Sequence, residues 1–441
     1  MRILIHSSDP AGQSGYSVVT KQLIKRLRKD GHFVRVATKH GFSNWQRYVD
    51  HYQVATHLKE AREALESSSI APNAKLSLGI KAIKKAREEL EGVEVFEGTN
   101  ISIINKMIER EKFDYVFSLW DIWILHSKRH LPHDKWIAYI PIDTPEISDT
   151  LKEVCLGTDM PDLRDDIVRG PKYHIAMSKH GRKQLWDIGL LPYYAPHGVD
   201  KDVFYPDAKG RKELRDARGW TEDDFIVGSV GMNYVDDRKG YIPLIRAFKE
   251  FEKEAPEAKL YLHTHMKGEY KGTLDYLKIA KKEGLLIYLP DQGMRDLGRI
   301  DENWLKDIYN SMDLFCLPTR GEGFGIPIIE AMACGVPVLT TDTTSGAELV
   351  GDCGYLMPVR KEQERYLKNN TFRYEIGSET ILDGLRKTYN VWKLRNDNKF
   401  KTWGDRKDAS IKKAGEYNWD TIWEKDWKPI FEELEEKLKT K

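Results

Sequence analysis

The sequence predicts an α/β protein of two doubly wound domains, each a parallel sheet flanked by helices. Three observations carry this prediction. The chain opens as strand, glycine loop, helix and strand over residues 2–38. The same order returns over residues 313–341. A length of 441 residues exceeds what one ordinary core accommodates. Strands that alternate with helices imply a parallel sheet, because a parallel connection needs a crossover.

The elements follow in order. Arg2–His6 reads as the first strand, and Ser7–Gly15 as a loop that contains Gly12 and Gly15. Ser17–Lys29 carries an apolar stripe (Val18, Val19, Leu23, Leu27) and ends at Gly31, as an amphipathic helix does. Phe33–Thr38 is the second strand. Trp45–Glu91 departs from this rhythm: it is rich in Glu, Lys and Ala, and Pro72 and Gly79 divide it into two predicted helices. Its mixed charges fit a solvated helical insertion as well as a cap over an acceptor. Strands resume at Tyr115–Leu119, Trp136–Ile142 and His174–Ser178. The turn formers of Leu190–Asp200 suggest a crossing between domains. A second set of strands is predicted at Phe225–Val230, Leu260–His263, Ile287–Leu289, Leu314–Pro318 and Val336–Thr341. Near the C-terminus, Trp419, Trp423 and Trp427 recur every four residues and share one helix face, with Pro429 expected to kink or end that segment. The expected division is a first domain over 1–195 with an insertion at about 45–91, a second over 196–414, and a helix over 415–441 that returns to the first.

Composition excludes several classes. A net charge of +1 gives no global field toward nucleic acid or an anionic membrane. The basic stripe of the first helix (Lys21, Lys25, Arg26, Arg28, Lys29) allows peripheral contact with an anionic membrane, although a solvated face is the commoner meaning. No apolar run approaches the roughly 20 residues of a membrane span. The four cysteines (Cys155, Cys316, Cys334 and Cys353) are scattered and read as reduced core thiols. The cytoplasm is the expected location.

The chemistry concentrates in Arg320-Gly321-Glu322-Gly323-Phe324-Gly325-Ile326-Pro327-Ile328-Ile329-Glu330. Gly323 and Gly325 let backbone approach a ligand, and Pro327 suits a first helical turn. The tip of that helix lies at the carboxyl edge of a parallel sheet, where its dipole and free amides suit phosphate. Two carboxylates at such a tip repel phosphate but accept hydrogen bonds from vicinal hydroxyls, so Glu322 and Glu330 are expected to rim one cleft and hold a sugar or ribose. A bare pair of glutamates at this spacing would more often be two solvated acids; the glycine turn and the helix start around it favour a site. Arg238 and Lys239 follow a strand and a polar loop and precede a helix, an arrangement in which a cation pair neutralises a diphosphate. Asp143 lies just past a strand, at a carboxyl edge.

With its flanks Pro318 and Cys334-Gly335-Val336-Pro337-Val338, the Glu322–Glu330 run resembles the signature of retaining GT-B glycosyltransferases, family 4 (glycosyl transferases group 1). His197-Gly198-Val199-Asp200, Lys239-Gly240 and Gly346-Ala347-Glu348-Leu349-Val350 resemble the same family. The resemblance implies the GT-B fold, two Rossmann-like domains with parallel sheets facing across a cleft. It also implies a nucleotide-diphosphate-sugar donor held mainly by the second domain, with no metal and no cofactor. On that carry-over Glu330 binds ribose and Glu322 the transferred sugar. The backbone of Gly323, Phe324, Gly325 and Ile326 contacts sugar or phosphate, while Asn233, Arg238 and Lys239 serve the diphosphate. Glu348 joins the donor site, and Gly12 and Gly15 cover it from the first domain. Relatives commonly carry an arginine after the glycine matching Gly231; Met232 and Asn233 stand here, and Arg238 is expected to take over that duty. Relatives also carry a histidine near Asp143, which makes Asp143 its candidate substitute. The catalytic candidates are thus Glu322, Lys239, Arg238 and Asp143. The acceptor is left open among glycan, lipid, protein and modified nucleobase. A nucleotide-sugar epimerase and a non-catalytic nucleotide-sugar-binding protein of the same fold are the alternatives.

Overall fold

The computed structural model describes all residues except 9, 11–13, 39–94, 98–100, 121–130, 160–166, 234, 266–273, 291–301, 368–369, 398–401 and 441. The insertion expected at about 45–91 and Gly12 therefore lie outside the described residues.

Apolar runs build the strands. β1 (Arg2–Ser7), β2 (Phe33–Thr38), β3 (Val95–Glu97), β4 (Tyr115–Leu119) and β5 (Trp136–Ile140) come first, then a small antiparallel pair, β6 (Thr158–Asp159) and β7 (Ile167–Val168). β8 (Tyr173–Ala176) and β9 (Tyr193–Tyr194) complete a first sheet of seven strands in the order β3-β2-β1-β4-β5-β8-β9. All its pairings are parallel. β4 and β5 are buried along their whole length, as strands covered on both faces are.

The second sheet has six parallel strands: β10 (Phe225–Val230), β11 (Ala258–His263), β12 (Ile287–Tyr288), β13 (Leu314–Leu317), β14 (Val338–Thr341) and β15 (Tyr355–Met357). Their order is β12-β11-β10-β13-β14-β15. An antiparallel hairpin, β16 (Glu364–Tyr366) and β17 (Phe372–Tyr374), follows. It has no counterpart in the sequence expectations.

The order turns back at β1/β4 in one sheet and at β10/β13 in the other. Such switch points are where open α/β sheets bind ligands. The two carboxyl edges meet there. A Cβ on Gly321 would lie 1.9 Å from the carbonyl oxygen of Asp143, and one on Gly323 3.0 Å from Pro141 Cβ. The loop after β13 thus presses on the loop after β5 so closely that only glycine fits at 321.

The C-terminal segment is broken just ahead of Pro429, where a kink or an end is expected, and the break takes the form of a π turn. Trp419–Ile422 is helical, Trp423–Trp427 forms one π turn, and the helix resumes over Lys428–Lys439 with Pro429 in its first turn. The break precedes the proline, where proline needs no N–H partner. Trp419, Trp423 and Trp427 are all buried. Trp427 Nε1 donates to Pro196 O at 3.0 Å, its ring packs on Tyr139, and Tyr115 Oη donates to Leu434 O at 2.9 Å. This segment is therefore fastened to the first sheet. Arg26 is not part of the exposed basic stripe: it is buried, 2.7 Å from Asp420 and over the Trp419 ring. Lys21, Lys25, Arg28 and Lys29 are exposed, and all four cysteines are buried and unpaired.

Candidate active site

Two helix tips of the second domain approach the cleft, and the chain treats them differently. Helix Tyr241–Phe251 is stopped by Asp237, whose two carboxylate oxygens accept the N–H of Tyr241 at 2.9 Å and of Ile242 at 3.0 Å. Tyr276 Oη donates to the same carboxylate at 2.8 Å. That tip is filled. Helix Ile326–Ala333 starts at Gly325, φ +101°, and carries no side-chain cap. Its orphan amides and positive dipole end are left for another anion.

The loop before the uncapped tip holds Glu322, which is 5% exposed. Its N–H donates to Thr344 Oγ1 at 3.0 Å, and Ser345 Oγ donates to its carbonyl at 2.8 Å. The backbone is pinned on both sides, so the carboxylate is aimed. It meets Lys239 Nζ at 2.6 Å and Arg238 Nη1 at 3.5 Å. Burial alone would raise the Glu322 carboxyl, but Lys239 and Arg238 together hold it below its usual range. Burial pulls the Lys239 ammonium below its ordinary value, with Glu322 opposing. Gly240 makes this approach possible: at φ +72°, a Cβ there would stand 2.1 Å from Pro318 O.

Arg238 has three demands on it. Its Nη1 donates to Gly321 O at 2.7 Å and lies 3.3 Å from Asp143 Oδ2, besides Glu322. The structure thus brings Asp143 of the first domain together with Arg238, Lys239 and Glu322 of the second. Sequence reading missed a fifth member. Arg373, on β17, donates through Nη2 to Asp143 at 2.9 Å and through Nη1 to Asp236 at 3.3 Å.

Glu330 sits elsewhere. It is 7% exposed, and Tyr309 Oη donates to its Oε2 at 2.8 Å. Burial pushes its carboxyl up to about 7, against the Tyr309 bond. The two open acids expected to rim one cleft are therefore two buried carboxylates in opposite settings: one ionised between cations, one shielded beside a phenol.

Other expected donor residues have partners of their own. The Asn233 amide donates to His265 O at 2.9 Å and Leu274 O at 2.7 Å, which spends its NH₂ on the fold. Glu348 accepts the N–H groups of Lys179 and His180 at 3.0 Å each, capping a first-domain helix. It bridges the domains and does not join the Glu322 cluster. Phe324 is buried, edge-on to His197 at 4.9 Å. Ile326 lies against Gly15, whose Cβ would be 3.3 Å from Ile326 Cδ1. This brings the first-domain glycine loop to the uncapped tip. His197, whose Nδ1 is 2.9 Å from Tyr139 Oη, and His180, whose Nε2 is 2.8 Å from Thr144 O, are built into the scaffold.

The arrangement can take up anionic oxygens at Arg238, Lys239 and the tip of Ile326–Ala333, and hydroxyls at Glu322 and Asp143. Comparison with known proteins gives the following likenesses. Residues 224–368 match the family model for glycosyl transferases group 1. The phosphatidyl-myo-inositol mannosyltransferase of Mycobacterium tuberculosis is 30% identical over 189 residues, which is 42% of this chain and 45% of the relative. The chain thus spans under half the length of that curated relative. Among solved structures, the sucrose-phosphate synthase of Thermosynechococcus elongatus superposes with a TM-score of 0.62 at 17% identity, over 98% of this chain and 99% of the other. Anabaena HepE, solved in complex with UDP-glucose, superposes with a TM-score of 0.62 at 16% identity over 100% of both chains. These likenesses and the two facing parallel sheets make the architecture GT-B.

Proposed function

We propose that this chain, a member of the glycosyl transferases group 1 family through residues 224–368, moves a sugar from a nucleoside-diphosphate sugar to an acceptor hydroxyl. The observation that carries this reading is the buried Lys239–Glu322 pair, 2.6 Å apart beside an uncapped helix tip. An ion pair held inside a cleft wall is costly unless its groups have further work. A donor supplies that work: its diphosphate competes for Lys239 and Arg238, and its sugar hydroxyls replace the lysine as donors to Glu322.

Departure of the nucleoside diphosphate then builds negative charge where Lys239, Arg238 and the tip of Ile326–Ala333 already stand. Positive charge develops at the sugar ring, as glycosyl transfer generally requires. Asp143 sits within reach of this cluster and substitutes for the family histidine as a hydroxyl acceptor. Glu330, with Tyr309, serves the ribose. The cations supply the charge neutralisation, so the reaction proceeds without a metal. Retention of anomeric configuration follows from attack on the face the diphosphate leaves. The acceptor class stays open, and GDP-mannose and UDP-glucose head the panel because one relative is named as GDP-mannose-dependent and one structural neighbour was solved in complex with UDP-glucose.

The test is a panel of UDP-glucose, UDP-N-acetylglucosamine and GDP-mannose, scored by thermal shift and by release of nucleoside diphosphate with and without EDTA. One donor should raise the melting temperature by mass action and be slowly hydrolysed. Glu322→Gln, which keeps an acceptor for Lys239, should lower hydrolysis at least 100-fold. A shift without turnover would make this a binding protein. Release of an altered free sugar would make it an epimerase. Loss of turnover in EDTA would refute the metal-free reading.

A further inference from the structure

We propose that Arg373 is a positioning residue for Asp143, and that the β16–β17 hairpin is the strap by which the second domain sets that carboxylate on the first. The inference rests on the functional reading above in that Asp143 faces the donor.

The hairpin leaves the second domain after β15 and grips one first-domain segment, a loop and the start of the helix Asp149–Leu156, at three places. Arg373 Nη2 donates to Asp143 Oδ2 at 2.9 Å, Thr371 Oγ1 to Glu146 O at 2.6 Å, and Asn370 Nδ2 to Asp149 Oδ2 at 2.9 Å. At its base, Glu375 pairs with Arg320 at 2.8 Å, and Arg320 in turn donates its N–H to Arg238 O at 2.8 Å. The other arm of Arg373 reaches Asp236, in the loop that leads into Arg238 and Lys239. One guanidinium therefore spans the cleft, with a planar fork suited to two carboxylates. β17 and its arginine also lie beyond residue 368, where the family match ends.

The need for a second arginine follows from the demands on the first. Arg238 is shared among Gly321 O, Glu322 and Asp143. When a diphosphate engages Arg238, Asp143 loses that partner at the moment its placement matters. Arg373 remains, 2.9 Å away and anchored to a hairpin that meets this cluster at Asp143 and Asp236. Residues Asp143 and Glu322 then keep their separation only while the strap is seated, which makes correct placement conditional on domain apposition.

The test compares Arg373→Met, Arg373→Lys, Asp143→Asn and the Asp143→Asn/Arg373→Met double variant in the full chain. The readouts are affinity for UDP and GDP, steady-state donor hydrolysis, and amide hydrogen exchange. Arg373→Met should leave the affinity for the nucleoside diphosphate and the donor KM within about twofold. It should lower kcat to the level of Asp143→Asn, with no further loss in the double variant, because both remove one function. Arg373→Lys should recover part of kcat. In the absence of any nucleotide, amides of residues 143–149 should exchange faster in Arg373→Met than in the parent. A tenfold loss of UDP or GDP affinity would make Arg373 a phosphate ligand and overturn the proposal. Unchanged kcat, multiplicative losses, or unchanged exchange would overturn it too. Failure of the parent chain to bind any nucleoside diphosphate refutes the functional reading instead, and the exchange measurement still decides the strap.

Discussion

At the residue scale, Glu322 and Glu330 show how far one string of letters carries. Both were visible as a pair around a glycine turn, and so were Arg238 and Lys239 before a helix. Their environments were not visible, because these depend on Lys239 meeting Glu322 across 83 positions and Tyr309 meeting Glu330 across 21. The Glu330 setting has a measurable consequence. Its carboxyl rises from 4.5 to about 7, so the folded chain holds that proton more tightly than the unfolded chain. The stability this contributes is full below about pH 4.5 and is lost as pH rises through 7; above that, a buried charge is a fixed penalty. Glu330→Gln cannot ionise, so it should be more stable than the parent by about 1–3 kcal/mol at pH 8, with the difference vanishing near pH 4.5. Urea unfolding at the two pH values checks this. The same variant should lose the donor-induced thermal shift, and an undiminished shift would remove Glu330 from the ribose site.

At the scale of elements, periodicity read the parallel strands and the amphipathic helices well, because their apolar patterns are long. It failed on β16–β17, whose strands, Glu-Arg-Tyr and Phe-Arg-Tyr, are three residues each and too short to carry a period. It also failed on the π turn at Trp423–Trp427, since a four-residue spacing of tryptophans fits an unbroken α-helix equally well. The docking it implied is real. Trp427 is fully buried against Tyr139 and Phe117, so Trp427→Ala should cost about 3–5 kcal/mol in urea unfolding. Gly240 makes a sharper test of backbone logic. An added Cβ would be strained at φ +72° and would strike Pro318 O, so Gly240→Ala should destabilise the chain by about 2–4 kcal/mol. It should also displace Lys239 and abolish donor turnover.

For the whole molecule, the contacts that cross the cleft include the Glu348 cap on the first-domain helix that begins at Lys179 and the Asp143–Arg238–Arg373 cluster with its hairpin. The sequence suggested Glu348 as a donor ligand because a glutamate near that loop is familiar in the family; its bridging role depends on how the two sheets face each other. Glu348→Ala leaves two helix-start amides without an acceptor. It should enlarge the radius of gyration of the free chain in small-angle scattering, and nucleoside diphosphate should reverse the change. The central claim is that the Lys239–Glu322 pair is a donor socket closed on itself. A crystal structure with a nucleoside-diphosphate sugar tests it most directly. The account predicts the diphosphate within hydrogen-bond distance of Lys239 and Arg238, sugar hydroxyls on Glu322, and the ion pair opened or shared. A ligand bound elsewhere, with Lys239 and Glu322 still 2.6 Å apart, would contradict it.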